Sequence, residues 1–158
     1  MYGVYSEHYA GMLDEKDEQI LRELVKYGRK PVVEISDDPE IPRATVQERL
    51  KRLTESGVIR KFVAVPDYSK IGKQVTAYVF VTFRSGENVS QRSLAEGISK
   101  IPGVYEASVI SGEWDIVLKV RAGSVEEVGT LVVDKLRMMK GIEKTQTCVA
   151  FQTIREGF

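Results

Sequence analysis

The sequence predicts an α+β chain of two units, a three-helix helix-turn-helix domain followed by a ferredoxin-like βαββαβ domain. Apolar residues recur at helical spacing from Leu13 to Leu53, with breaks at Gly28, Pro39 and Gly57. From Val75 onward, runs rich in Val, Phe, Tyr and Thr alternate with helical patterns. Their order is strand, helix, strand, strand, helix, strand, which is the split ferredoxin-like unit. The expected divisions are a tail (1–11), the helical domain (12–60), a linking strand and connection (61–74) and the sheet domain (75–154).

In the first unit, Leu13, Ile20, Leu21, Leu24 and Val25 fall close to helical spacing. Asp14 stands as the N-cap, Asp17 at the capping-box position, and Gly28 ends the helix. A short helix from Val32 to Asp37 turns Val32, Val33 and Ile35 inward. The run from Asp37 to Pro42 then breaks the chain, because each proline restricts the residue before it. A third helix carries Pro42 in its first turn. Val46, Leu50 and Leu53 sit at i, i+4 and i+7, one buried stripe. Ser56-Gly57 stops it, and Val58 to Val65 reads as extended.

In the second unit, Thr76 to Phe83 is the first strand. Asn88 to Lys100 is a helix with Val89, Leu94 and Ile98 inward, broken at Pro102-Gly103. Val104–Ile110 and Ile116–Arg121 are strands joined by a tight link, Ser111 to Asp115. Ser124 to Met139 is a second helix, with Val125, Val128, Leu131, Val132 and Leu136 inward, and Ile142 to Phe151 closes the sheet. Alternation sets Val79, Val81, Phe83, Ala107, Val109, Ile116, Leu118 and Val120 against the helices. The other face carries Tyr78, Phe80, Val104, Glu106, Ser108, Ile110, Val117 and Thr145 or its neighbours, with little in the chain to cover it. A half-apolar open face of this kind is expected to be buried on a second copy, so a homodimer is expected.

Composition narrows the function. The chain has 158 residues, 42% hydrophobic and 29% charged, as a globular protein does. No apolar run approaches the roughly 18 residues of a membrane span, and Met1 to Met12 lacks a signal-peptide pattern. No membrane partner and a cytoplasmic location are expected. The single cysteine, Cys148, cannot close an internal disulfide and reads as a small buried strand residue. With one histidine, His8, in the tail, no Cys/His metal site can be assembled. No Ser-His-Asp, Cys-His or phosphate-loop arrangement is present, so no catalytic residue, no cofactor and no enzyme activity are expected.

Net charge is zero, but its distribution is uneven. Ten acids face five bases between Glu7 and Glu40, whereas eight bases face three acids between Ile41 and Lys73. Such a reversal either gives a neutral protein a locally basic face or reflects two solvated helices of mixed charge. With its apolar stripe inward, the third helix turns Ala44, Thr45, Glu48, Lys51, Arg52 and Glu55 outward, with Gln47 at the flank. Its N-terminal end, with Arg43, Ala44, Thr45 and Gln47, is the end that reaches base edges in a helix-turn-helix, making double-stranded DNA the expected partner. Arg49, Lys51 and Arg52 suit phosphates, and Arg60 and Lys61 could reach the backbone as a wing. An ordinary amphipathic helix would show the same outward bases.

The link Gly112-Glu113-Trp114-Asp115 is the second candidate site. Glycine allows a turn with exposed amides that suit a carboxylate, and Asp115 suits an ammonium group. Together these describe the main-chain end of a free amino acid, though on spacing alone an ordinary hairpin turn with a packed Trp is the favoured reading. Glu106, on a strand near the link, either touches a ligand or pairs with a basic neighbour such as Lys119. Thr147 of the last strand completes the candidate ligand set.

At this point the chain resembles the Lrp/AsnC (leucine-responsive, or feast/famine) family of transcription regulators. The resemblance rests on Leu13-Asp14-x-x-Asp17-x-x-Ile20-Leu21, on Val46-x-x-Arg49-Leu50-x-Arg52-Leu53-x-x-x-Gly57-Val58-Ile59, and in the second unit on Gly103-Val104, Gly112-Glu113-Trp114-Asp115 and the closing strand. It covers about Leu13 to Ile154. It implies an N-terminal DNA-binding unit, a linking strand and a C-terminal amino-acid-sensing domain. It also implies dimers formed through both halves, assembly to octamers, and an amino-acid effector bound between dimers near residues 112–115. One departure is Ile41-Pro42-Arg43, which stands where the family often has a small polar cap. Two other functions share these features: an architectural DNA-binding protein of low sequence selectivity, and a non-catalytic amino-acid-binding effector subunit.

Overall fold

The computed structural model describes residues 13–37, 41–86, 89–154 and 156. The predicted tail with His8, Met12, the Asp38-Pro39-Glu40 turn and Asn88 lie outside the described residues. The chain divides into two compact units at Val65/Pro66. No helix among the described residues is long and apolar enough to cross a membrane.

The first unit contains α1 (Glu15–Tyr27), α2 (Val32–Asp37) and α3 (Arg43–Glu55). Asp14 starts α1 with a reciprocal capping box: its carboxylate accepts the Asp17 N–H at 3.0 Å, and the Asp17 carboxylate accepts the Asp14 N–H at 3.1 Å. α3 starts differently. Pro42 is its N-cap rather than part of its first turn, and no side chain caps the helix. Apolar packing fixes this end instead. Ile41 and Val46 occupy the positions of a hydrophobic staple, and both are buried. Ile20, Ile35 and Leu53 complete the fully buried core, with Leu21, Leu24 and Leu50 packed partly against it. Each fully buried aliphatic side chain is worth about 1.5–3 kcal/mol. Val33, expected inward, remains exposed, as does Val25 of α1. In α2, six residues long, Ile35 is fully buried and Val32 partly so.

Gly57, at φ 75°, ends α3, and the Ile59 N–H reaches back to the Leu53 carbonyl at 2.9 Å. Residues 60–67 then form no helix or strand, so the expected linking strand does not form within this chain. An extended segment becomes a strand only when another edge accepts its backbone hydrogen bonds. Phe62, Val63 and Val65 are accordingly exposed.

The second unit opens with a 3-10 turn, Tyr68–Ile71, and continues as β1 (Val75–Phe83), α4 (Gln91–Ser99), β2 (Val104–Val109), β3 (Ile116–Ala122), α5 (Val125–Thr130) and β4 (Ile142–Val149). The sheet order is β2-β3-β1-β4, antiparallel throughout, as the split ferredoxin-like pattern requires. α4 starts at Gln91, three residues later than the expected start at Asn88, because Ser90 and Ser93 form a capping box. After α5 the helix widens into a π turn (Leu131–Lys135) and closes in a 3-10 turn (Leu136–Met138). The widening brings Leu131 and Leu136, five positions apart, toward one direction, and both are buried. Val125 stays exposed.

Ala77, Val79, Val81, Ile116, Leu118 and Val120 form the helix-facing core with Leu94, Ile98, Val128, Leu131, Val132 and Leu136. Two expected placements change. The register of β2 shifts between Val104 and Glu106, a bulge that returns Val104 to the helix side. Val109, at the end of that edge strand, is half-exposed. The open face carries Tyr78, Phe80, Val117 and Lys119, which stay partly accessible.

Candidate nucleic-acid interface and ligand loop

α3 presents Arg43, Ala44, Gln47, Glu48, Lys51 and Arg52 to solvent, with Thr45 half-buried at the flank. Arg60 and Lys61, past the helix, are also exposed. Lys51 pairs loosely with Glu55 at 3.9 Å, an exposed contact worth little.

Arg49 is placed differently. Its side chain is only 18% exposed and points back to α1, where it bonds Asp14 and, at 2.9 Å, Asp17. Arg52 also donates to Asp17, whose side chain is fully buried. The Arg49 guanidinium, with help from the Asp17 N–H, holds the Asp14 carboxyl at about 2 against the usual 3.8, and the same contact raises Arg49 above its ordinary value. Arg49 therefore ties α3 to α1. The sequence places Asp14 and Asp17 in a cap but gives no sign of the arginines more than thirty residues later that share them.

In the second unit the link from Gly112 to Asp115 is a bend, tied down at its end where the Asp115 N–H donates to the Val81 carbonyl at 3.0 Å. Gly112 sits at φ 122°, a conformation that favours glycine. Gly112 and Glu113 are exposed, and Trp114 is half-buried against Phe80, ring centroids 5.9 Å apart. The Lys144 ammonium lies 5.1 Å from the Trp114 ring centre, a cation–π contact. Asp115 faces inward. Its carboxylate accepts the Phe83 N–H at 2.7 Å and the Gln91 side-chain amide at 3.1 Å. It braces the end of β1 and the start of α4 against the loop. Neither Phe83 nor Gln91 is marked by any sequence motif.

Glu106 and Thr147 are not brought together. Glu106 lies opposite Lys119 on the open face, and its carboxylate accepts the Ser108 hydroxyl at 3.4 Å. Thr147 pairs with Val79, whose side chain faces the helices, so Thr147 lies on the opposite face. Both are exposed. Cys148, expected buried, is exposed on the edge strand β4. Lys119 pairs not with Glu106 but with Glu156, which Arg121 also binds. These cations, Lys119 foremost, hold the Glu156 carboxyl below the usual carboxylate range. Arg121 is 7% exposed, its guanidinium carbon 3.7 Å from the Tyr68 ring centre and 5.6 Å from that of Tyr105. The only sequence signal for this cluster is an arginine within an apolar strand.

The fold and these surfaces define a class: a helix-turn-helix unit joined to an α+β domain with an exposed glycine loop. Comparison with known proteins identifies both halves. Residues 13–60 match the winged helix-turn-helix DNA-binding domain, and residues 76–158 match the Lrp/AsnC ligand binding domain. The chain belongs to the Lrp/AsnC family of transcriptional regulators. It is 46% identical over 147 residues to an uncharacterized HTH-type transcriptional regulator of Pyrococcus furiosus, covering 93% of this chain and 98% of that one. It is 32% identical over 146 residues to the HTH-type transcriptional regulator FL11 of the same organism, covering 92% and 94%. A transcriptional regulator from Neisseria meningitidis, solved as its L-Met complex, superposes with TM-score 0.85 at 25% identity, covering 92% and 94%. AsnC of E. coli shares the fold, with TM-score 0.81 at 19% identity, covering 93% and 97%.

Proposed function

We propose that the chain is a cytoplasmic transcription regulator that binds double-stranded DNA through α3 and responds to a free amino acid through its second unit. The observation that carries this is the order of the two matched domains, with the polar side of α3 left in solvent. Arg43, Ala44, Thr45 and Gln47 then read base edges in the major groove, with Glu48 beside them, while Lys51, Arg52, Arg60 and Lys61 contact phosphates. Arg49 serves by holding the helix in place. A regulatory rather than enzymatic role is supported by the relatives, which are named as transcriptional regulators.

The amino-acid effector is supported by the domain match and by the L-Met complex of the Neisseria protein. The amides around Gly112 suit its carboxylate. Asp115 serves as the brace that fixes the loop rather than as the ammonium partner, and Glu106 and Thr147, on opposite faces, would act in different subunits if both touch ligand. A homodimer that assembles to an octamer would cover the open sheet face and the exposed Phe62, Val63 and Val65.

The direct test is a gel shift on the chain's own upstream DNA. Binding that weakens steeply with salt is expected, and no binding even at low salt would refute the DNA role. A thermal-shift screen of the twenty amino acids tests the effector, since a ligand bound by the folded state raises the melting midpoint. A flat response to all of them would refute the amino-acid role.

A further inference from the structure

Asp17 does more than cap α1. Its side chain is fully buried, and both oxygens are occupied: Oδ1 accepts from Arg49 at 2.9 Å, and Oδ2 accepts the Asp14 N–H at 3.1 Å and an Arg52 amino group. A buried carboxylate needs such partners, because an unpaired buried charge is strongly destabilising. Arg49, itself mostly covered, is shared between Asp17 and Asp14, so Asp17 draws on a second guanidinium, that of Arg52. Arg52 is the puzzle. Its side chain is 55% exposed, on the solvent side of α3 next to Lys51. It donates inward with one end of its planar fork while the remainder stays at the surface. A guanidinium held in this way has already lost its rotamer freedom on folding and does not lose it again on grasping a ligand. Its fork also suits the paired oxygens of a phosphate.

We propose that Asp17 is a positioning residue for nucleic-acid binding, holding Arg52 on α3 with its outer N–H donors presented to a backbone phosphate. This rests on the DNA-binding role proposed above. Two carboxylates, Asp14 and Asp17, balance two guanidiniums, Arg49 and Arg52, so the contact works by directed hydrogen bonds rather than by excess charge. Were Asp17 instead to withhold Arg52 from DNA, freeing the arginine would tighten binding.

The test is fluorescence anisotropy of the full chain on a labelled duplex of its own upstream DNA at several salt concentrations, with thermal melts of each variant. Salt-sensitive binding by the wild type establishes the DNA role independently, and its absence fails that role and this inference together. Given binding, Asp17→Asn and Arg52→Gln are each expected to weaken it roughly tenfold, and the double variant no further than either alone. Equal or tighter binding by Asp17→Asn, or losses that add in the double variant, overturns the inference. Should Asp17→Asn melt below the assay temperature, Arg52→Lys decides, since it keeps the charge at a half-exposed position but not the fork. A roughly tenfold loss is expected there too, and wild-type affinity for the Lys variant overturns the positioning role.

Discussion

The helical unit fully buries five apolar side chains among the described residues and ties α1 to α3 through four charged ones, whereas the sheet unit buries fourteen apolar side chains. A small core leaves more of the stability to oriented polar contacts, which acid and salt disturb. A large one leaves it to area removed from water, which they barely touch. The helix-turn-helix unit is thus the one whose small core leans more on charged contacts, while the sheet unit keeps one ion cluster of its own at Arg121, Lys119 and Glu156. Trp114, the only tryptophan, lies in the sheet unit and reports on it separately.

The largest effect expected is from Leu118→Ala, at the centre of the sheet core, with a loss of about 2–5 kcal/mol in urea unfolding followed by Trp114 fluorescence. A loss below roughly 1 kcal/mol would mean that the sheet core is not what holds this unit. Next comes Asp115→Ala, which strips the acceptor from the Phe83 N–H. It should cost about 1–3 kcal/mol by the same measurement, and a neutral result would show that the brace is dispensable.

Acid should test the charged contacts that join α1 to α3. The folded-state carboxyl of Asp14 titrates at about 2, below its ordinary 3.8. Its contribution is therefore complete above 3.8 and is lost as pH falls toward 2. Far-UV circular dichroism should show helix loss in that window, and Asp14→Asn should remove this part of the pH dependence. An unchanged acid profile in Asp14→Asn would break the comparison. The smallest effect is from Lys144→Ala, which removes the cation above Trp114. About 0.5–1 kcal/mol is expected, with a shift in Trp114 emission. Unaltered emission would mean that the contact is not kept in solution.

Local chemistry was legible in the sequence and long-range geometry was not. The Asp14–Asp17 box, the Gly28 and Gly57 helix ends and the Val46-Leu50-Leu53 stripe depend on neighbours a few positions apart, and all form. Periodicity told which residues share a face but not how far cover extends, so Val33, Val109 and Val125 were expected inward and lie exposed. The β2 bulge moved Val104, because one inserted residue reverses the alternation beyond it. Strand register alone decides that Thr147 and Glu106 lie on opposite faces. In the candidate sites, the exposed side of α3 and the Gly112 bend followed from spacing. The inward turn of Arg49 and the Phe83–Asp115–Gln91 brace followed from tertiary contacts that no spacing encodes.

The bulge on β2 has a further consequence. The sheet ends in two unpaired rims, β2 and β4. On β2 the extra residue interrupts the regular row of donors and acceptors that a neighbouring chain would need to zip alongside. β4 carries a bulge of its own at Glu143, between Ile142 and Lys144, and then runs in register to Val149, a longer regular row than β2 offers. Strand addition is thus favoured at β4 over β2, whose regular run, Glu106 to Val109, is the shorter. Pairing of β4 with β4 would leave only the shorter β2 rims, with no rim of the same kind from which to extend into a fibre.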